Sequence, residues 1–108
     1  LYPFWEGCPI EYSLGHMQAM YGQVVDAAQG KPIIITETGW PSEGGSFKGA
    51  VAGDTAAMKY FIDTVKWTKE NDIPIFYFSS FDESWKTGDE GDVGAYWGLW
   101  DKYENLKF

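Results

Sequence analysis

A glutamate that follows three isoleucines is the position in this 108-residue sequence best placed to do chemistry. The stretch Ile33-Ile34-Ile35-Thr36-Glu37-Thr38-Gly39-Trp40-Pro41-Ser42 opens as a β-branched run and closes in a turn. Ile33 to Thr36 reads as a buried strand, and strand side chains alternate, so Ile33, Ile35 and Glu37 are expected on one face. Burying a carboxylate without a partner is costly, which makes Glu37 a poor stabiliser there. It either serves a reaction at the C-terminal end of the strand or simply marks where the strand meets water. Gly39 and Pro41 turn the backbone sharply and hold Trp40 near that end, as packing over the rim or as a platform for an apolar ligand face.

A second cluster is Phe81-Asp82-Glu83-Ser84-Trp85-Lys86. Lys86, three residues on, would keep Glu83 ionised, whereas a general acid must be held protonated by apolar or like-charged surroundings. The pair therefore reads as a hydrogen-bonding or orienting element, with a solvated ion pair worth under about 1 kcal/mol as the plainer alternative. Asp82 is an equal candidate to point inward. Lys86 to Val93 carries three carboxylates among glycines, but not in the order of a calcium-binding loop, and reads as solvated. Cys8 and His16 are the only residues of their types, too few for a disulfide or for a metal site between them. No metal and no cofactor is expected.

The elements that must position these groups follow from periodicity. Residues 1–4 read as the end of a strand. Ser13 is expected to cap a helix carrying Leu14, Met17, Tyr21, Val24, Val25 and Ala28, with Gly30 and Pro32 ending it. Asp54 is expected to cap a second helix with Ala57, Met58, Phe61, Ile62 and Val65 on one face. Pro74 opens a further strand, Ile75 to Phe78. The order β-α-β-α-β, with strands apolar on both faces, implies parallel α/β architecture. Helix-to-strand connections are tight and strand-to-helix connections long, the arrangement in which α/β enzymes build sites at strand C-termini. Three parallel strands leave two bare edges, and a closed (β/α)8 barrel needs roughly 250 residues. Residues 1–108 therefore read as one partial domain, capable of self-association through its edges. With no initiator Met, the lack of a signal region says nothing about secretion.

Net charge is −8, from eight Lys, no Arg and sixteen acidic residues. Such a surface repels nucleic acid, anionic membrane and polyanionic polysaccharide, but not a neutral sugar. No apolar run approaches the roughly 18 residues needed to cross a bilayer. Aromatic residues make up 19% of the chain, and their flat rings both fill cores and stack on sugar faces.

Thr36-Glu37-Thr38-Gly39-Trp40-Pro41-Ser42 resembles the nucleophile motif of glycoside hydrolase family 17, the β-1,3-glucanases and related glucanosyltransferases. Phe81 to Lys86, followed by Tyr96-Trp97-Gly98-Leu99-Trp100-Asp101, is similar to the family's C-terminal segment, where an acidic residue and a lysine flank the cleft. Tyr2 looks like the aromatic residue that the family presents at the preceding strand end. The resemblance implies strands six (1–4), seven (33–36) and eight (74–79) of a (β/α)8 barrel and a retaining hydrolase acting on β-glucan. It implies Glu37 as nucleophile, with Tyr2, Trp40, Glu83 and Lys86 contacting substrate. It also implies a secreted or cell-envelope protein. The family's acid/base residue follows an Asn, and this chain contains no Asn-Glu pair, so that group is expected outside residues 1–108. A non-catalytic carbohydrate-binding protein using the aromatic surface is the reading from another class.

Overall fold

The computed structural model describes all residues, 1–108. Helix α1 spans Ile10–Ala28 and is followed by strand β1, Ile35–Thr38. A hairpin of β2, Ser46–Phe47, and β3, Ala50–Val51, precedes helix α2, Asp54–Glu70. Strand β4, Ile75–Tyr77, and a 3-10 turn at Gly91–Ala95 complete the order. β1 and β4 pair in parallel, β2 and β3 antiparallel, and α1 packs on α2. The parallel α/β arrangement expected from the sequence is present, whereas the hairpin lies in a stretch expected to be irregular.

Several local expectations are corrected. Residues 3–7 form turns rather than a strand, although the Leu1 nitrogen donates to the Glu37 carbonyl at 3.0 Å and so lies beside the end of β1. α1 starts at Ile10 behind Pro9, because a proline loses nothing by lacking an N–H at a helix start. Ser13 is inside the helix, its hydroxyl donating back to the Ile10 carbonyl at 2.7 Å. Gly53, not Asp54, precedes α2 as its cap. The buried face of α2 is Ala57, Tyr60, Thr64 and Thr68, while Met58 and Ile62 are exposed. Two of its polar side chains find partners, since the Tyr60 and Thr38 hydroxyls share a hydrogen bond of 2.6 Å and Thr68 donates to the Thr64 carbonyl, while the Thr64 hydroxyl is buried without one.

The parallel ladder holds the main surprise. Ile35 pairs with Ile75 and Thr38 with Tyr77, leaving Thr36 and Glu37 of β1 against Phe76 of β4, so β1 carries a bulge. Ile35 packs with Met17 and Ile73, and Thr38 bonds Tyr60, so both face the helices. Glu37 falls on the opposite side and is exposed, rather than sharing a face with Ile35. Neither strand is covered on both faces, since Thr36 and Glu37 of β1 and Phe76 of β4 are exposed.

The main core gathers Phe4, Trp40, Ala50, Ala57, Tyr60, Val93 and Trp97. Phe4 stands edge-on to Trp40 at 5.3 Å and to Trp97 at 5.7 Å. A buried clasp ties the C-terminal segment to it. The Lys107 ammonium donates to Asp82 at 2.6 Å and to the Ser42 hydroxyl at 2.7 Å, and Asp82 also accepts from the Gly98 N–H at 2.9 Å. Both side chains of the ion pair are at most 9% exposed. Lys107→Met is expected to destabilise the protein by about 3–5 kcal/mol, because Asp82 is left as an unpaired buried charge. A denaturant titration showing a loss below about 1 kcal/mol would mean that water reaches the pair.

Candidate active site

Glu37 reaches its position through three local devices. The bulge turns it away from the helices. Gly39 lets the end of β1 close on β4, since a Cβ there would run into the Phe78 carbonyl. The Phe78 N–H then donates to the Thr38 carbonyl at 2.7 Å, fixing the two strand ends side by side. The resulting pocket is lined by Tyr2, Trp5, Glu37, Phe78, Lys86, Glu90 and Trp97 and encloses ≈ 120 Å³. That is below the about 300 Å³ at which closed ligand pockets begin, and it suits a stretch of open cleft.

Tyr2 meets the Trp97 ring edge-on at 5.4 Å. Burial first, then the negative charge of Glu37 and a hydrogen bond to it, push the Tyr2 phenol far above its usual range, so it remains a neutral donor beside the carboxylate. The Lys86 ammonium sits 3.0 Å from a Glu83 oxygen and 4.7 Å from the centre of the Phe78 ring. Its hydrogen bond to Glu83 holds the ammonium above the ordinary lysine range against the opposing effect of burial, with Glu83, Glu90 and Glu37 adding their charge. Lys86 is therefore a standing cation at the pocket wall.

Of the residues singled out in the sequence, Tyr2, Glu37 and Lys86 come together. Glu83 stands one step behind, paired with Lys86. Asp82 does not point inward but is consumed by Lys107 and Gly98. Trp40, expected to contact substrate, does not line the pocket: it is 1% exposed, and its indole N–H donates to the Val51 carbonyl at 3.1 Å. Trp85, at 74% exposed, lies outside the pocket.

Sequence reasoning missed Trp5, Phe78, Glu90 and Trp97 as lining residues. Trp97 carried a signal, being one of three closely spaced tryptophans, but nothing ranked it above Trp85. Glu90 lies in the Gly-Asp-Glu-Gly-Asp stretch that read as solvated loop. That stretch is largely exposed, as read, and is tied down at one point: Asp92 accepts from the Gly45 N–H at 3.1 Å, and Gly44, at φ +111°, leaves room for Val93. The carboxylate, the neutral phenol, the cation and the aromatic walls together suit attack on an electron-poor carbon of a ring with an apolar face. No group of three His, Cys, Asp or Glu residues is placed to hold a metal ion. The largest cavity, ≈ 500 Å³ beside Glu43, Tyr96 and Tyr103, shares no residue with the Glu37 pocket.

Residues 1–98 match the family model described as the BtgE/BtgC glycoside hydrolase domain. A glucan 1,3-β-glucosidase of Arthroderma benhamiae is 32% identical, covering 99% of this chain and 39% of that protein. The probable glucan endo-1,3-β-glucosidase btgC of Aspergillus fumigatus is also 32% identical, covering 99% of this chain and 18% of that protein. Among solved structures, the glycoside hydrolase family 17 β-1,3-glucanosyltransferase from Rhizomucor miehei superposes with a TM-score of 0.90 at 39% identity. The match covers 98% of this chain and 38% of that one. The chain spans about two fifths or less of each of these proteins.

Proposed function

Starting from a chain that belongs to the BtgE/BtgC glycoside hydrolase family, we propose that residues 1–108 are the C-terminal part, about strands six to eight, of a (β/α)8 catalytic domain. That domain cleaves β-1,3-glucosidic bonds with retention, and Glu37 is its nucleophile. One observation carries the reading: the Glu37 carboxylate stands at the C-terminal end of a parallel strand, in an aromatic pocket, beside a neutral phenol and a lysine.

In the first step Glu37 attacks the anomeric carbon while an acid supplied from outside residues 1–108 protonates the departing oxygen. Tyr2 orients the carboxylate. Lys86, held by Glu83, offers hydrogen bonds to the sugar and offsets the charge of the nucleophile. The glycosyl-enzyme then passes to water or to a second sugar. Likeness to the Rhizomucor miehei glucanosyltransferase favours sugar as one acceptor. We place the enzyme outside the cell or in its envelope, where a glucan polymer is met.

The full-length enzyme incubated with a 2-deoxy-2-fluoro glucosyl donor is expected to accumulate an adduct on the peptide containing Glu37, read by mass spectrometry. The first product released from a laminari-oligosaccharide should be the β-anomer by NMR. An adduct on another carboxylate, or an α-anomer first, would sink the assignment. Oligosaccharides longer than the donor, appearing at high donor concentration, would report transfer alongside hydrolysis.

A further inference from the structure

We propose that the ≈ 500 Å³ cavity beside Tyr103 is a second carbohydrate site, which holds a neutral oligosaccharide segment without cleaving it. That the saccharide is β-1,3-glucan rests on the reading of the Glu37 pocket; the site itself does not. Its volume falls within the about 300–1,000 Å³ of small-molecule sites.

The floor supplies a fixed acceptor. Asp82 lines the cavity although its side chain is only 8% exposed. Both hydrogen bonds that it accepts, from Lys107 and from the Gly98 N–H, fall on Oδ1, and none reaches Oδ2. The clasp therefore holds in place a carboxylate oxygen with lone pairs to spare. Around it, the exposed Ser84 and Thr87 hydroxyls can donate or accept, and the exposed Glu43 carboxylate enters no ion pair. Tyr103 supplies a platform, with its ring 73% exposed and the Lys102 ammonium 5.1 Å from the ring centre. A braced turn displays it: Asp101 accepts from the Tyr103 N–H at 2.8 Å and from the Asn105 N–H at 3.0 Å.

These groups select the ligand by elimination. Glu43, Asp82 and Asp101 repel an anion. The acidic groups do not converge in a set of three that holds a metal ion. An organic cation gains little, because Lys107 behind Asp82 and Lys102 on the rim offset the carboxylates, and Asp101 is spent on backbone N–H groups. An apolar molecule would strip water from the hydroxyls and carboxylates and replace none of its hydrogen bonds. A ring bearing several hydroxyls and one apolar face meets every group: it donates to Asp82 and Glu43, exchanges bonds with Ser84 and Thr87, and stacks on Tyr103.

One segment walls both sites. Asp82, Ser84 and Thr87 line this cavity, whereas Lys86, paired with Glu83, lines the Glu37 pocket. A polymer strand held on the outer side keeps insoluble substrate close to the catalytic cleft, raising its effective concentration there.

The test uses the full-length enzyme with Tyr103→Ala, and with Glu43→Gln as a second variant that leaves the turn untouched. Retention on insoluble β-1,3-glucan particles, read by depletion of protein from solution, should weaken roughly tenfold for Tyr103→Ala, the loss of one stacked ring. For each variant, kcat/KM on aryl laminaribioside, a donor too short to need a second site, should stay within about twofold of wild type. Unchanged retention in both variants would overturn the proposal. An equal fall in kcat/KM on the short donor would overturn it too, by making the cavity part of the catalytic cleft. So would Tyr103-dependent binding of glucosamine oligomers in preference to laminari-oligosaccharides, which would mark a cation site. Tyr103-dependent retention on xylan or mannan, but not on β-1,3-glucan, would support the site and sink the glucan reading instead. Calorimetry of laminarihexaose with Glu37→Gln protein should show a second binding event that Tyr103→Ala removes, whichever carboxylate proves to be the nucleophile.

Discussion

Turnover of β-1,3-glucan by the complete enzyme is expected to fall by roughly three or more powers of ten when Glu37 is replaced by Gln. The amide keeps the shape of the side chain but cannot form the glycosyl ester, so the loss belongs to the chemical step. Because Glu37 is exposed and makes no side-chain ion pair, the melting temperature should hardly move. Laminari-oligosaccharide binding should persist, carried by Lys86 and the aromatic walls. Retention of more than about a tenth of kcat would assign the nucleophile elsewhere, because an essential group is worth far more than tenfold.

Trp40→Ala should act through the opposite channel. Its ring is buried against Phe4 and Tyr60, so truncation is expected to destabilise the protein by about 3–5 kcal/mol, the range for large core aromatics. The lost hydrogen bond to Val51 also loosens the hairpin that flanks the cleft. Enzyme that remains folded should show an almost unchanged Michaelis constant. A raised Michaelis constant with little change in denaturation midpoint would restore Trp40 to the substrate surface.

What the sequence made readable is what local pattern records. The Ile33–Thr36 run, the two helical periodicities and the prolines that stop them placed the elements in order, and loop lengths pointed to the right end of the strands. Groups paired across long separations were hidden. The polar face of α2 depends on Tyr60 finding Thr38, 22 residues away, so an apolar stripe looked like the obvious buried face. Asp82 looked as free as Glu83 because its partner, Lys107, lies 25 residues on. Trp40 sits in a motif that invites a substrate role, but its ring is packed against Phe4 and Tyr60 and its N–H is held by the hairpin. Glu90 was lost between Gly88 and Gly91, which stand in open space and give a solvated composition to a stretch that nonetheless lines the pocket.

Copied onto an ideal, unbulged strand, the same Ile-Thr-Glu-Thr tetrapeptide would turn its carboxylate toward the helices and its second threonine toward the cleft. The surplus residue in β1 is therefore a part of the site that no list of side chains contains. Anyone transplanting all four residues into a new scaffold must move the irregular spacing with them. A repacking scheme that smooths the backbone would keep every residue and disarm the centre. Of the length changes open to this strand, loss of Thr36 is the one that preserves the orientation of its neighbours. It removes the extra position while leaving Ile35 and Thr38 on one side and Glu37 on the other.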